Sequence, residues 1–195
     1  PCEWPARNGD YSDFVGVKAA SGSALVTGWA RIHGFPIGVL ANARGVLFGE
    51  EAEKAAQFIQ LANSSNTPLV FLQNTTGYMV GKEYEQDGII NGYAEMQKRL
   101  AATKPDLIVG IANDHLLNFH PANVPDWCVG TSDHWEGPAG WFRAWVNVPH
   151  YEVAGHSGLG RTIVRESGKR GFNLAFSDKL LFDDNWSVPL HFLTP

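Results

Sequence analysis

The sequence predicts an α/β fold, and three patterns support this prediction. A helical pattern over residues 50–64 lies between two apolar runs of strand length, residues 35–41 and residues 69–72. A second helical pattern, residues 91–103, precedes another apolar run, residues 106–112. Strands that alternate with helices in this way are typical of sheets built from crossover units.

The composition is that of a chain able to bury a core, and it excludes several classes of function. Of the 195 residues, 44% are hydrophobic, and the net charge is −5 with no basic block, which argues against nucleic-acid binding. No apolar run approaches the roughly 20 residues that span a bilayer, so we expect no membrane partner. No secretory signal is visible. Cys2 and Cys128 lack metal-type spacing, which fits a reducing cytoplasm.

A β-hairpin is predicted near the start, after a polar and irregular lead-in over residues 1–23. Residues 24–32 alternate in part and are rich in Val, Leu, Trp and Ile, and residues 35–41 form the second apolar run. His33 and Gly34 lie between the two runs and form the turn.

Residues 50–64 carry the clearest helical pattern in the chain. Alanines and Ile59 recur at three- and four-residue spacing, and glutamates crowd the first turn, where the helix dipole favours negative charge. Pro68 prevents the helix from continuing. Residues 69–72 are wholly apolar, as expected for a parallel strand covered on both faces. Together with residues 35–41, these elements fit a right-handed crossover.

A glycine-rich turn, residues 73–81, directly follows this crossover. In open α/β sheets, ligands bind at the carboxyl ends of strands. The backbone N–H groups of Gly77 and Tyr78 are therefore catalytic candidates, able to hold a carbonyl oxygen or an anion. The alternative is a tight connection whose glycines adopt positive φ, and the spacing leaves both interpretations open.

Several motifs of the first half occur together in one known family. They include Gln-Asn-Thr-Thr-Gly-Tyr-Met-Val-Gly over residues 73–81 and are contained in residues 24–42, 45–48, 50–63 and 71–90. This segment resembles the carboxyltransferase β subunit of biotin-dependent acyl-CoA carboxylases, most closely the methylcrotonoyl-CoA and geranyl-CoA carboxylase branch. The resemblance implies a crotonase-like fold, with biotin and CoA as cofactors and acyl-CoA as substrate.

The same resemblance implies that this segment is the opening of the family's C-domain. In that family, carboxybiotin and acyl-CoA meet between the N-domain of one subunit and the C-domain of another. The N-domain and the later glycine-alanine stretch that stabilises the biotin enolate have no counterpart in these residues. Loss of one oxyanion donor already costs about 3–4 kcal/mol of transition-state stabilisation. We therefore expect no carboxyl transfer from this chain alone.

The second half begins with a helix, a strand and a histidine. Residues 91–103 place Met96 and Leu100 on or near one helical face, and residues 106–112 have the pattern of a buried parallel strand. His115 follows that strand at the position where α/β proteins build their sites. By itself, His115 is either a hydrogen-bonded structural histidine or a ligand.

Residues 118–140 predict a long segment without regular structure, and such segments are often functional. Its tryptophans and those that follow form either the wall of an aromatic pocket or ordinary loop packing; they are Trp127, Trp135, Trp141 and Trp145. The glycine-rich residues 155–160 lack the order of a phosphate loop or a nucleophile elbow. We interpret them as the cap of a helix near residues 156–167.

The motifs of the second half also occur together in one family. They are residues 104–115, 118–119, 124–125, 128–130, 153–159 and 187–190. This half resembles class III extradiol ring-cleavage dioxygenases, the family of the protocatechuate 4,5-dioxygenase β subunit. The resemblance implies a catecholic aromatic substrate and a non-haem Fe(II) ion held by two histidines and a glutamate, with open positions for substrate and O₂.

The implied iron site is incomplete in this sequence. His115 matches the second histidine ligand of the family, whereas the first histidine and the glutamate have no counterpart. The family's acid–base histidine before Ser-Val-Pro-Leu aligns with Asp184. A carboxylate takes that catalytic role when its pKa is raised.

We therefore predict a composite of two truncated domains, residues 1–90 and residues 91–195, joined near Ile90 and Asn91. The first is a crotonase-like βαβ fragment and the second an α/β extradiol-dioxygenase-like fragment, inactive alone. The alternatives are an acyl-CoA carboxylase β-subunit fragment and a non-catalytic assembly module. Strand edges without partners favour self-association, so we expect a homo-oligomer or a self-associating chain.

Overall fold

The computed structural model is a mixed α/β structure that divides into two compact units, Pro1–Pro105 and Asp106–Pro195. It describes residues 14–74, 77–78, 89–146 and 149–193. The predicted junction near Ile90 and Asn91 stays a prediction. Across these described ranges, no helix combines the length and apolar character of a membrane span.

The first unit contains the predicted hairpin and crossover, which are confirmed. Its elements are β1 (Val15–Gly16), β2 (Leu25–Ile32), β3 (Phe35–Asn42), β4 (Val46–Leu47), α1 (Gly49–Ser64), β5 (Leu69–Leu72), β6 (Gly77–Tyr78) and α2 (Ile89–Ala102). The sheet order is β1-β2-β3-β5, in which β1, β2 and β3 are antiparallel and β5 runs parallel to β3. β4 and β6 form a separate parallel pair.

The irregular lead-in predicted over residues 1–23 is wrong at β1. This short strand pairs with β2, and the ring of Phe14 lies where a side chain at Gly28 would stand. A strand of two residues is too short to show an alternating pattern in the sequence. Residues 1–13 lie outside the described part of the chain.

One core cluster of the first unit lies between α1 and the sheet. Phe58 and Ile59 of α1 are 1% and 0% exposed, and the Phe58 ring is 4.8 Å from the Trp29 ring of β2. α2 packs against α1, and its Met96 and Leu100 contact the same core. The apolar face predicted for this second helix is therefore used within the first unit.

A buried lysine of α1 forms hydrogen bonds with the start of β2 and the residues just before it. Lys54 is 4% exposed, and its Nζ donates to the carbonyl oxygens of Ser21, Gly22 and Leu25 at 2.8, 3.3 and 2.6 Å. Burial lowers the pKa of Lys54 below its ordinary value of 10.5, and the neighbouring Glu51 carboxylate opposes this shift. These hydrogen bonds give the buried ammonium three acceptors, one of which, the Gly22 carbonyl, also accepts the Leu25 N–H.

The second unit is built from short elements. They are a 3₁₀ turn (Pro121–Asn123), β7 (Cys128–Gly130), β8 (His134–Gly137), α3 (Gly140–Val146), β9 (Tyr151–Ala154), α4 (Ser157–Lys169), β10 (Ala175–Ser177) and α5 (Asp184–Leu193). β7 pairs with β10 in parallel, and β8 pairs with β9 antiparallel. The predicted helix cap is confirmed, because His156 accepts the Leu159 N–H at 3.2 Å. The irregular segment predicted over residues 118–140 is wrong where β7 and β8 form.

The buried strand predicted over residues 106–112 is also wrong. These residues adopt no strand, and no strand among the described residues pairs with them. Their large apolar side chains are 49%, 45%, 64% and 79% exposed at Leu107, Ile108, Val109 and Ile111. An apolar run forms a buried strand where neighbouring strands and covering layers are present. The sequence pattern is that of a strand, but no strand within the described ranges pairs with it and its large apolar side chains are exposed.

Replacing Lys54 with methionine is expected to lower the free energy of unfolding by about 1–3 kcal/mol, because three hydrogen bonds from the ammonium are lost. The matched control is Lys18→Met, since Lys18 is exposed and bonds the Gln57 side chain. We expect the control to change stability by less than about 0.5 kcal/mol. Urea unfolding of both variants at neutral pH measures the difference.

The same variants test the pKa of Lys54. Because that pKa is below 10.5 in the folded chain, the unfolded chain binds more protons between the two values. The contribution of Lys54 to stability therefore rises with pH through this window. The stability difference between wild type and Lys54→Met should widen as the pH rises toward about 10.5, the ordinary pKa of a lysine. A constant or shrinking difference would show that the ammonium is not desolvated.

Candidate metal centre

The histidine and the aspartate predicted from the second half, His115 and Asp184, lie side by side in the structure. Nδ1 of His115 is 3.2 Å from Oδ1 of Asp184 and 3.2 Å from Oδ2 of Asp183. One potential ligand atom from each of the three residues lies within 4.8 Å of the other two. Sequence reasoning missed Asp183, although its place directly before Asp184 was a usable signal.

The two aspartates are placed by the start of α5. Asp183 immediately precedes this helix, and its carboxylate accepts the backbone N–H of Asn185 at 3.0 Å. Its backbone carbonyl accepts the N–H of Ser187 at 2.8 Å, which begins the helical ladder. Asp184 is the first residue of α5. Carboxylates are favoured here because the first turn of a helix leaves N–H groups without partners.

A side-chain amide holds the histidine segment next to the aspartates. The Asn118 side chain accepts the Leu181 N–H at 2.6 Å and donates to the Leu181 carbonyl at 3.1 Å. Its Nδ2 also donates to Oδ1 of Asp114 at 2.9 Å, and the same oxygen accepts the Asn118 N–H at 3.1 Å. The two bonds to Leu181 join segments 63 positions apart in the sequence, and the bonds to Asp114 tie Asn118 to the residue next to His115.

Asn185 makes a second link to the histidine segment. Its Nδ2 donates to the Asn113 carbonyl at 2.9 Å and lies 3.4 Å from Nε2 of His115. With Nε2 as the acceptor, the proton of a neutral imidazole is on Nδ1, which faces both carboxylates.

The two carboxylates differ in their access to water. Asp183 is 4% exposed, whereas the Asp184 side chain is 45% exposed. Burial raises the pKa of the Asp183 carboxyl; the charge of His115 opposes this shift and the charge of Asp184 adds to it. The group therefore combines one imidazole nitrogen, one desolvated carboxylate and one carboxylate open to solvent.

Aromatic rings pack behind the aspartates. Phe182 stacks on Trp135 at 5.7 Å and on Trp186 at 5.4 Å between ring centroids. Two of the other tryptophans considered for an aromatic pocket are 60% and 64% exposed, Trp127 and Trp141. The side chain of Trp145 lies outside the described part of the chain. Loop packing, the alternative to a pocket, therefore agrees with the placement of the described rings.

The other predicted site lies in the first unit. The backbone of Gly77 and Tyr78 forms β6 and pairs in parallel with β4. The start of this turn is fixed by Asn42, whose side chain accepts the Asn74 N–H at 2.7 Å and donates to the Asn74 carbonyl at 2.6 Å. Residues 75–76 and 79–81 lie outside the described ranges. The role of Gly77 and Tyr78 as donors to a carbonyl oxygen stays a prediction.

Two protein families match the chain. The carboxyl transferase domain family matches residues 5–113, and the family of the catalytic LigB subunit of aromatic ring-opening dioxygenase matches residues 73–195. The chain belongs to both families. Both resemblances predicted from the motifs are thereby confirmed. The two matches overlap over residues 73–113, a range that includes α2 and the predicted junction.

Carboxylase β subunits are among the most similar relatives. A probable biotin-dependent acyl-coenzyme A carboxylase β2 subunit of Mycobacterium tuberculosis is 66% identical over 46% of this chain and 17% of its own length. The mitochondrial methylcrotonoyl-CoA carboxylase β chain of Dictyostelium discoideum is 50% identical over 51% of this chain and 17% of its own length. This chain thus corresponds to a minor part of the curated relatives that it matches.

A solved structure supports the fold of the first half. The crystal structure of the P. aeruginosa geranyl-CoA carboxylase β subunit is 43% identical, with a TM-score of 0.50, over 52% of this chain and 20% of that chain. The carboxyltransferase character of the predicted first fragment is therefore confirmed. The extradiol-dioxygenase fold of the second fragment stays a prediction.

Replacing Asn118 with alanine is expected to lower the free energy of unfolding by about 1–2 kcal/mol, because its side chain loses two hydrogen bonds to Leu181 and a partly buried one to Asp114. The ring resonances of His115 should shift as well, since its segment is no longer held beside the aspartates. The matched control, Asn123→Ala, alters an exposed asparagine and should cost less than about 0.5 kcal/mol. Equal losses in the two variants, measured by urea unfolding, would contradict the role of Asn118.

Proposed function

We propose that this chain is a composite of an acyl-CoA carboxylase β segment and an aromatic ring-opening dioxygenase segment, and that it completes neither reaction alone. One observation carries this proposal. Among the residues that the structure describes, the group able to hold a metal contains His115, Asp183 and Asp184 and no second histidine. The boundary of the two segments is proposed near Ile90 and Asn91, within the overlap of the two family matches.

The dioxygenase segment departs from a two-histidine, one-carboxylate arrangement. Fe(II) bound in such an arrangement supplies open coordination positions for a catecholic substrate and O₂. One imidazole and two carboxylates also fit a divalent cation, so His115, Asp183 and Asp184 are the residues that would hold the metal. Asp184 lies 3.2 Å from Nδ1 of His115. A carboxylate that ligates a metal is not free to exchange a proton with substrate, which supports inactivity.

The carboxylase segment has a formed core but corresponds to a small part of a carboxylase β subunit. Its relatives are named for biotin dependence and acyl-CoA carboxylation, and the chain covers 17% of the first two of them. We therefore propose acyl-CoA and biotin as the ligand classes of the ancestral segment. The backbone of Gly77 and Tyr78 is the part of that site which this chain would retain.

Anaerobic loading of the full chain with Fe(II), followed by addition of protocatechuate and O₂, tests the proposal. We expect no yellow ring-fission product and no O₂ uptake beyond the rate with Fe(II) alone, because the ligand set and the acid–base group are altered. His115→Gln is the control for metal-dependent background. Product formed by the wild type and abolished in His115→Gln would overturn the proposal.

Self-association with a second copy of the chain is also proposed, because residues 106–112 leave apolar side chains open to solvent. Ile111→Lys changes a side chain that is 79% exposed and should shift the chain toward monomer without loss of fold. Phe35→Lys is the matched control, since Phe35 is 73% exposed in the hairpin of the first unit. Light scattering measures the outcome, and a monodisperse wild-type monomer would contradict this expectation.

A further inference from the structure

The distance from the His115 imidazole to each aspartate matches the spacing of adjacent ligands around one cation. Ligands about 90° apart at bond lengths of about 2.0–2.6 Å are separated by about 2.8–3.7 Å. Nδ1 of His115 is 3.2 Å from an oxygen of Asp183 and 3.2 Å from an oxygen of Asp184. A cation placed between the three atoms therefore needs no rearrangement of the backbone.

The chemistry of the ligands indicates the class of cation. Two carboxylates and a neutral imidazole carry a charge of −2, which a divalent cation neutralises. None of the three ligands is a thiolate, and carboxylate-rich sets favour Mg²⁺, Mn²⁺ and Ca²⁺ over softer metals. Asp183 is 4% exposed, so water solvates its carboxylate poorly. A bound cation would balance that charge.

The site is held in place on one side and open on the other. Asn118 fixes the histidine segment through Leu181, and the start of α5 fixes Asp183. The side chains of His115 and Asp184 are 56% and 45% exposed. Water can therefore complete the coordination shell from the solvent side, as hard divalent cations require.

We propose that His115, Asp183 and Asp184 bind one hard divalent cation of the Mn²⁺ and Mg²⁺ class through Nδ1 and one oxygen of each carboxylate. This inference rests on the proposed function and deepens it, because it names the class of cation, and its test requires no aromatic substrate. Binding through Nδ1 requires the tautomer of a neutral His115 that carries its proton on Nε2.

A matched control lies at the antiparallel pair of β8 and β9. There, His134 and His150 lie 4.0 and 3.8 Å from the carboxylate of Glu152. All three side chains are exposed and the contacts are longer than those at His115, so this group does not have the spacing of a cation site. Glu152→Gln removes a carboxylate next to histidines without touching His115.

Titration of the full-length chain with Mn²⁺, followed by loss of the free Mn²⁺ electron paramagnetic resonance signal, tests the proposal. We expect one saturable equivalent per chain. Asp183→Asn and Asp184→Asn should each weaken binding by at least about tenfold, whereas Glu152→Gln should leave it unchanged. Isothermal titration calorimetry gives the same affinities independently, and competition by Mg²⁺ confirms the class of cation.

Asp184→Asn is the decisive variant, because its half-exposed side chain can change without unfolding the second unit. Circular dichroism confirms that each protein tested is folded. The proposal is overturned if folded wild type shows no saturable Mn²⁺ binding, if Asp184→Asn binds with wild-type affinity, or if Glu152→Gln weakens binding equally. Ring-fission activity does not enter this test, so its failure is distinguishable from a failure of the proposed function.

Discussion

The second unit depends on the exchange of two hydrogen bonds between the Asn118 side chain and the backbone of Leu181. An asparagine suits this position because its amide offers a donor and an acceptor side by side. The neighbouring residues 106–112 adopt no strand that would fix the histidine through a ladder. His115 is therefore positioned by side-chain hydrogen bonds, and its distance from Asp183 follows from them.

An asparagine side chain also exchanges two hydrogen bonds with the backbone next to the predicted site of the first unit. Asn42 exchanges two hydrogen bonds with the backbone of Asn74, at the point where the glycine-rich turn leaves β5. Lys54 acts similarly on the segment before β2, with three carbonyl oxygens around one ammonium. In both units, polar side chains fix loop segments that regular secondary structure leaves without ladder partners.

Periodicity and motifs predicted much of this structure from the sequence. The hairpin, α1, β5, α2 and α4 follow from local patterns that tertiary contacts reinforce, and the motifs drew attention to His115 and Asp184. The local pattern could not show whether residues 106–112 form a strand, because a strand also requires a neighbouring strand to pair with. The burial of Lys54 could not be predicted either, because its hydrogen-bond partners are distant in the sequence. A lysine in a helix normally faces water, and its partners come from a loop about 30 positions earlier.

Two family matches and one group of three possible metal ligands support the proposed composite. Anomalous diffraction from a crystal of the full chain grown with Mn²⁺ tests it most directly. A single peak is expected at about 2.0–2.6 Å from Nδ1 of His115 and from one oxygen each of Asp183 and Asp184. A peak with a second histidine among its ligands would show a completed dioxygenase-type triad and contradict the composite of incomplete sites.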